Sequence, residues 1–186
     1  MPAYPRREME EMVERWLEAN RKAEESGDWT LMADCYTEDA TYGWNVGPNG
    51  EFMAVGRDEI RDIALGMEMG GLDGWNYPYE EILMDDAKGQ VVGFWRQIAD
   101  AKRADGSPYE VAGIGGSWFR YGGNGMWSWQ RDWFDFGNAA SLFMEMLSDG
   151  TLSEGMSKRM ERSVSGPLPG HYKRGQAPVG LWDAPG

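Results

Sequence analysis

The stretch that decides the fold of this sequence is Trp129-Gln130-Arg131-Asp132-Trp133-Phe134-Asp135. Bulky residues at alternating positions are typical of a β-strand, in which successive side chains point to opposite faces. This alternation places Asp132 on one face together with Gln130 and Phe134. A carboxylate held between two bulky neighbours is either an acid/base catalyst or one half of an ion pair with a nearby basic side chain. The stretch leaves both interpretations open.

The composition predicts one soluble globular domain. The chain has 186 residues, of which 41% are apolar and 13% aromatic, enough for a sizeable core. Its formal net charge of -13 argues against a nucleic-acid partner or an anionic membrane, both of which need a basic protein face. We therefore expect no nucleic-acid and no membrane partner.

The usage of cysteine and histidine restricts the chemistry further. Cys35 is the only cysteine, so the chain forms no internal disulfide. His171 is the only histidine and lies in the tail, where we expect it to help the tail pack. These counts argue against a histidine-based metal site and a Ser-His-Asp device, so no metal and no cofactor are expected. Residues 1–7 are charged and lack the apolar core of a signal peptide, which predicts a cytoplasmic location.

The order of elements along the chain predicts the α+β class. Apolar residues at steps of three and four predict a helix from about Arg6 to Glu25, and Asp28 is placed to cap a short second helix. The remaining expected elements are a strand over 40–46, a helix over 56–65, strands over 75–84, 90–102, 109–121 and 126–136, and helices over 138–148 and 153–163. Residues 66–74 form a connection that could cover a cavity, and residues 166–186 an irregular tail.

Four motifs carry a resemblance to a known superfamily. They are Ser26-Gly27-Asp28-Trp29, Cys35-Tyr36-Thr37-Glu38-Asp39-Ala40-Thr41-Tyr42, Gly56-Arg57-Asp58-Glu59-Ile60 and the stretch that ends in Asp135. Over about residues 8–148, the chain resembles the nuclear transport factor 2-like (NTF2-like) superfamily. That resemblance implies a cone, in which a curved antiparallel sheet wraps around N-terminal helices and encloses one deep pocket. It also implies an NTF2-like domain over 1–150, followed by a helical extension and Pro/Gly-rich tail over 151–186.

Within the superfamily, the last strand is similar to the Trp-Arg-Asp-Tyr-Phe-Asp strand of limonene-epoxide-hydrolase-like and SnoaL-like proteins. The resemblance places Asp132 on a catalytic carboxylate, Arg96 on an arginine that links two carboxylates, and Tyr42 on a tyrosine that positions water. An aspartate in an apolar pocket beside an arginine could serve as a general base near neutral pH. The alternative is a structural Arg96–Asp132 ion pair with Tyr42 in the core.

Other positions depart from the patterns of the related enzymes. The second carboxylate of the epoxide hydrolases falls on Ile98, and their water-binding asparagine falls on Trp44, next to Asn45. Ketosteroid isomerases place a base at the position of Trp44 and a hydrogen-bond donor at Ser117. Neither epoxide hydrolysis nor steroid isomerisation is therefore supported by a complete set of residues.

Aromatic residues suggest the type of substrate and an oligomer. Flat apolar ligands stack well on aromatic walls, and the residues expected to contact the substrate are Trp44, Asn45, Tyr77, Phe94, Ile98, Ser117, Gln130 and Phe134. The glycines of 113–116 are expected to leave room for the pocket. Trp127, Trp129 and Trp133 alternate with Asp132 and should form an exposed aromatic face, which predicts a homo-oligomer, a dimer or trimer.

These residues together predict a cofactor-independent acid/base lyase that acts on a hydrophobic aromatic molecule. Asp132 would take a hydroxyl proton, a carbon–carbon or carbon–oxygen bond would break, and Arg96 with Tyr42 would stabilise the departing oxygen. One such reaction is the cofactor-free release of formaldehyde from a lignin-derived diarylpropane dimer to give a stilbene. The alternatives are a polyketide-cyclase-like or ketosteroid-isomerase-like activity, an epoxide hydrolase with a reduced site, and a non-catalytic binding protein. The environment of Asp132 discriminates between catalysis and binding.

Overall fold

A computed structural model of the protein describes residues 4–183. Residues 1–3 of the charged N-terminal stretch and residues 184–186 of the tail lie outside this range. The helices are α1 (Arg6–Ser26), a 3₁₀ segment (Trp29–Cys35), α2 (an α-helical turn Arg57–Glu59 that continues as a π-helix Ile60–Glu68), α3 (Phe136–Asp149) and α4 (Glu154–Val164). Within the described range, no helix is both long enough and apolar enough to cross a membrane.

Within residues 4–183, ten strands form two sheets. The strands are β1 (Tyr36–Val46), β2 (Gly50–Val55), β3 (Trp75–Asn76), β4 (Tyr79–Asp85), β5 (Gln90–Trp95), β6 (Ile98–Lys102), β7 (Pro108–Glu110), β8 (Gly115–Gly123), β9 (Met126–Trp133) and β10 (His171–Lys173). The large sheet has the order β10-β2-β1-β9-β8-β5-β4, and the small one has the order β3-β6-β7. All pairs are antiparallel except β1 with β9, so the large sheet is mixed. The predicted α+β class is confirmed.

Helix α1 packs its apolar stripe into the curve of the large sheet. Trp16 contacts the rings of Tyr36 and Phe119 edge-on, with centroid distances of 5.9 and 5.0 Å. The helix ends because Gly27 adopts a left-handed conformation (φ 71°), which a glycine reaches without steric cost. Asp28 then accepts a hydrogen bond from the Thr30 amide and starts the 3₁₀ segment, as predicted.

Several strands differ from the predicted ones. Strand β2 falls in a region that the sequence left unassigned after the loop at 47–50, and it forms a hairpin with β1. The predicted strand over 90–102 is interrupted at Arg96–Gln97, where the chain passes from β5 in the large sheet to β6 in the small one. The predicted helices over 138–148 and 153–163 are confirmed as α3 and α4.

A bulge in β9 changes the expected position of Trp127. The register runs from Arg120 opposite Trp129 to Tyr121 opposite Trp127, so β9 has one extra residue there. The bulge turns Trp127 into the core, where its ring stacks on Phe119 at a centroid distance of 4.8 Å. The prediction that Trp127 lies on an exposed outer face is therefore wrong.

The tail covers the outer face of the same strands. Arg131 donates a 2.8 Å hydrogen bond from Nε to the carbonyl oxygen of Leu181, and Trp129 donates a 2.7 Å bond from its indole nitrogen to that of Asp183. Trp129 is therefore buried, although the sequence predicted it to be exposed. Trp133 remains 38% exposed. The homo-oligomer stays a prediction, but its expected contact face is partly occupied by the chain's own tail.

Candidate active site

Asp132 lies on the inner face of β9, where two neighbouring side chains hold its carboxylate. Tyr42 on β1 donates a hydrogen bond of 2.5 Å to Oδ2, and Gln130 donates one of 2.8 Å from Nε2 to Oδ1. Gln130 is oriented in turn by the Tyr36 hydroxyl, which donates to its Oε1. Because each carboxylate oxygen accepts a bond from a buried partner, the plane of the Asp132 carboxyl is fixed.

Strand β8 supplies the next side chain of this network. Ser117 is opposite Asp132 in the β8–β9 register, and its hydroxyl accepts a 2.9 Å bond from the indole nitrogen of Trp95. A Cβ at Gly115 would lie 2.2 Å from the ring of Trp95, so only a glycine lets the indole lie flat there. The absence of a side chain at Gly115 makes room for the Trp95 indole. It does not leave open space in the pocket, contrary to the prediction from the sequence.

Burial determines the ionisation of this group. Desolvation raises the pKa of Asp132 from 3.8 to about 6, and the hydrogen bonds from Gln130, Tyr42 and Ser117 oppose the rise. Burial and the neighbouring carboxylate charge raise the pKa of Tyr42 well above its usual value of 10. At neutral pH, the site therefore pairs an ionised carboxylate with a phenol that stays protonated.

Asp132 faces a cavity of about 520 Å³. Aromatic and aliphatic side chains form most of the wall, which is the usual character of a small-molecule site of this size. The lining residues include Tyr42, Trp44, Glu68, Tyr77, Trp95, Gln97, Ser117, Gln130, Asp132, Phe134, Arg159 and His171. The structure thus brings together seven of the residues that the sequence proposed: Tyr42, Trp44, Tyr77, Ser117, Gln130, Asp132 and Phe134.

Arg96 does not join this site, and its expected contact with Asp132 is wrong. Its guanidinium lies on the surface and binds Glu110 through two nitrogens, both at 2.7 Å, with Glu80 at 3.4 Å. These two carboxylates raise the pKa of Arg96 further above its already high ordinary value. The positive charge nearest to Asp132 along β9 is Arg131, on the opposite face of the sheet.

Three of the predicted substrate contacts also lie outside the cavity wall. Phe94 packs on Trp133 at a centroid distance of 5.9 Å on the outer face, and Ile98, the first residue of β6 in the small sheet, is likewise not part of the wall. Asn45 is exposed because it alternates with Trp44 on β1. Phe94 and Trp95 are both large and aromatic, so the sequence does not reveal which of the two faces the interior.

The inward positions of this segment are Trp95 and Gln97, which the sequence analysis did not select. Both line the cavity, and the Gln97 side chain is buried, with 8% of its surface exposed. A buried amide in contact with a cavity is a group that can bind an oxygen of a ligand. Shifting the predicted strand face by one residue would have found both positions.

A second polar cluster lines the cavity, and its members lie far from β9 in the sequence. Nε2 of His171 lies 3.0 Å from Oε1 of Glu68, and Nη2 of Arg159 lies 3.3 Å from Oε2 of the same carboxylate. The sequence placed His171 in an irregular tail and gave Glu68 no role. No local pattern predicts this cluster, because its members belong to α2, α4 and β10. Among the described residues, no three His, Cys, Asp or Glu side chains converge as a metal site.

Comparisons with known proteins agree with this architecture. No family model and no curated protein matches the sequence. An NTF2-like protein from Anabaena variabilis ATCC 29413 has a similar structure, with 18% identity, 68% of this chain and 89% of that chain covered, and a TM-score of 0.52. The protein has the NTF2-like fold. The predicted NTF2-like cone is thereby confirmed as a fold.

Two further solved structures share this NTF2-like cone. PrhC from Penicillium brasilianum NBRC 6234 is 13% identical, with 82% of this chain and 96% of PrhC covered and a TM-score of 0.56. A predicted SnoaL-like polyketide cyclase from Jannaschia sp. CCS1 is 13% identical, with 73% and 90% covered and a TM-score of 0.54. At these identities the likeness shows the fold alone, because one fold can carry many unrelated functions.

Proposed function

We propose that this NTF2-like protein is an acid/base enzyme that acts on a flat, hydrophobic, aromatic small molecule. Asp132 is the group that takes a proton from the substrate and returns it. One observation carries the proposal: a carboxylate with both oxygens hydrogen-bonded and a pKa of about 6 faces a large apolar cavity. A structural carboxylate gains nothing from that position, because burial makes its charged form less stable.

The pKa of Asp132 allows it both to take a proton from the substrate and to return it. A general base acts best when its pKa lies close to the working pH, because it is then ionised before the step and still releases the proton afterwards. At pH 7, a group with a pKa of about 6 is mostly ionised. Asp132 therefore removes a proton from the substrate, and its carboxyl form returns the proton to a second position.

Tyr42 has two roles in this scheme. Its hydrogen bond to Oδ2 keeps one carboxylate oxygen oriented while the other takes the proton. Because its pKa is raised, the phenol remains a donor at every pH at which Asp132 works. Once Asp132 has taken a proton and lost its charge, the phenol can redirect its single O–H to a substrate oxygen that becomes negatively charged.

Isomerisation or cyclisation is the reaction class that this site supports best. Both need one proton removed and one returned, and Asp132 does both without a second charged group beside it. The NTF2-like relatives include a predicted SnoaL-like polyketide cyclase, which fits this class. The aromatic walls around Trp44 and Trp95 favour a polycyclic or polyaromatic substrate.

The direct Tyr42–Asp132 hydrogen bond also supports a lyase as the second candidate. In the release of formaldehyde from a diaryl dimer, Asp132 takes the hydroxyl proton, the carbon–carbon bond breaks, and its electron pair expels a benzylic hydroxyl group. Tyr42 gives its proton to that oxygen, which leaves as water. The proton on Asp132 then returns to Tyr42 across their 2.5 Å hydrogen bond, so the site is restored without Arg96.

A product analysis by mass tests the proposal. Wild type, Asp132→Asn and the matched surface control Asp39→Asn are incubated with polycyclic ketones, diaryl dimers and aryl epoxides. Asp39 is exposed on β1. An isobaric product supports isomerisation or cyclisation, loss of formaldehyde supports the lyase, and addition of water supports an epoxide hydrolase. Turnover by wild type and Asp39→Asn alone is expected; tight binding without turnover would make the protein a binding module.

A further inference from the structure

The cavity has a second polar end that is built by the C-terminal extension. His171 lies on the edge strand β10, which pairs with β2, and its position is opposite Phe52. Its ring contacts Phe52 edge-on at a centroid distance of 5.4 Å. A Cβ at Gly170 would lie 2.6 Å from the Phe52 ring, so the preceding residue must be a glycine for this approach. The imidazole is therefore held in the wall by the sheet edge.

Glu68 fixes the orientation of that imidazole. It is 7% exposed, and its carboxylate contacts both Nε2 of His171 and Nη2 of Arg159. Burial raises the pKa of Glu68, but the His171 hydrogen bond and the charges of Arg159 and Arg162 outweigh that rise and lower its pKa overall. An ionised Glu68 accepts a hydrogen bond from the protonated Nε2 of His171. Nδ1 is then the ring nitrogen that is available to a ligand.

The charges around His171 come from two elements packed against it. Glu68 ends α2, Arg159 and Arg162 belong to α4, and Arg162 donates to the Met67 carbonyl oxygen instead of to the imidazole. Glu51, the neighbour of Phe52 on β2, accepts from the amides of the tail at Gly175 and Ala177. Glu68 is thus the group that binds the imidazole directly.

A row of rings separates His171 from Asp132. Tyr42, which binds Asp132, contacts Trp44 at 5.2 Å; Trp44 stacks on Phe52 at 3.9 Å; and Phe52 contacts His171. Asp132 and His171 therefore lie at opposite ends of a row of aromatic contacts, of which Tyr42, Trp44 and His171 line the cavity. A ligand that reaches both groups has to extend across this part of the wall.

We propose that His171 is a second catalytic residue, with Glu68 as its positioning residue, and that the substrate is a conjugated aromatic molecule with an oxygen function remote from its acidic carbon. This inference rests on the function proposed above. Asp132 takes a proton from carbon, the electron pair moves through the conjugated system to the remote oxygen, and His171 gives that oxygen a proton. The carboxyl of Asp132 then protonates a second carbon while His171 takes the oxygen's proton back, so both groups end as they began.

The variants His171→Gln, Glu68→Gln and Lys173→Gln test this role. Glutamine at 171 keeps a donor for Glu68 but has no ring nitrogen to transfer a proton, and exposed Lys173 on the same strand is the matched control. We expect His171→Gln to lower kcat by about 100-fold or more and to raise KM by no more than about tenfold, and Lys173→Gln to keep the wild-type values. Unchanged kcat in His171→Gln, with Asp132→Asn inactive, would overturn the inference and leave the proposed function intact.

A binding measurement tests the contact independently of turnover. Because the chain has one histidine, its imidazole signals in an NMR spectrum need no assignment. We expect 2,6-dihydroxynaphthalene to shift these signals in wild type and naphthalene to leave them in place. The dihydroxy probe should also bind about tenfold more weakly to His171→Gln, while the affinity for naphthalene stays the same. Imidazole signals that respond to neither probe, or to both equally, would overturn the proposed contact.

Discussion

Tyr42 and Asp132 lie on neighbouring parallel strands, and the phenol of the first donates a 2.5 Å hydrogen bond to the carboxylate of the second. Strands β1 and β9 form the one parallel pair of the large sheet, at its centre. A central pair is held by neighbours on both sides, so the two side chains are fixed by the backbone as well as by their own contact. This rigidity is what an acid/base pair needs to keep its geometry through a proton transfer.

The buried charge of Asp132 should reduce the stability of the fold, and Asp132→Asn should relieve that cost. The folded pKa of about 6 lies above the ordinary 3.8, so the unfolded chain loses this proton first and stability falls as pH rises from 4 to 6. The difference between these two pKa values corresponds to roughly 3 kcal/mol in the free energy of unfolding. The gain from Asp132→Asn is smaller than this by the hydrogen-bond energy that the amide loses. In urea unfolding, the free energy of unfolding of Asp132→Asn should exceed that of wild type by an amount that grows from pH 4 to pH 6 and is constant above pH 6. A gain that does not vary with pH would contradict a buried titrating carboxylate.

Removal of the Tyr42 hydroxyl should shift the pH dependence of activity upward. The Tyr42 hydrogen bond lowers the pKa of Asp132, so in Tyr42→Phe the base becomes ionised only at a higher pH. The measurement is the midpoint of the acidic limb of kcat/KM. Tyr109→Phe is the matched control, because it also loses a hydrogen bond to a carboxylate, 2.7 Å to Asp149, outside the cavity wall. Equal midpoints in wild type and both variants would show that the Tyr42 bond does not tune Asp132.

Arg96→Ala should leave turnover unchanged. The Arg96 guanidinium is on the surface with Glu110 and Glu80, and exposed ion pairs contribute little to stability because water and salt screen them. The free energy of unfolding should therefore change little, and less still at high salt. A large loss of kcat would restore Arg96 to the site and refute its placement on the outer face.

Gly115→Ala should disturb the Trp95 indole and destabilise the protein. The new methyl group would overlap the ring, which has to shift and weaken its hydrogen bond to Ser117. Overpacking of this kind costs about 1–3 kcal/mol. Gly137→Ala at the start of α3 is the control, since its Cβ would meet an oxygen of Asp135 at an ordinary 3.4 Å. Calorimetric unfolding of the two variants gives the comparison, and similar melting temperatures would contradict close packing at Gly115.

Arg131→Met should release the end of the tail. The buried Arg131 guanidinium donates to the carbonyl oxygens of Thr41 and Leu181, and these acceptors would lose their partner. A loss of at least about 2 kcal/mol is expected, with faster hydrogen exchange at residues 180–183. Arg120→Met also removes a guanidinium from the Trp129 ring, at 5.0 Å, but should leave the tail protected. Unchanged exchange in Arg131→Met would mean that other contacts hold the tail.

The sequence predicted those parts of the site that depend on local periodicity. Alternation in β9 placed Asp132, Gln130 and Phe134 on one face, and all three line the cavity. The spacing of apolar residues likewise predicted α1 to within one residue at its C-terminal end. Both patterns follow from backbone geometry that repeats every few residues, so neighbouring positions contain the whole signal.

Where local alternation was ambiguous or broken, the predictions failed. Phe94 and Trp95 are both aromatic, so β5 has no polar face, and Arg96 was assigned to the interior although it faces solvent. The bulge in β9 shifted Trp127 from the outer face to the core by one extra residue. A bulge depends on the pairing with the neighbouring strand, which periodicity within one strand does not contain.

The sequence by itself determined the α+β class, the amphipathic helices, the carboxylate of Asp132 and the acidic charge that disfavours nucleic acid. Only the tertiary structure decided which residues accompany that carboxylate. Tyr42 and Asp132 are 90 positions apart, and Glu68 and His171 are 103 apart. Contacts over such separations form when sheet pairing and burial bring distant segments together. The second polar end of the cavity is therefore a product of the fold and not of any motif.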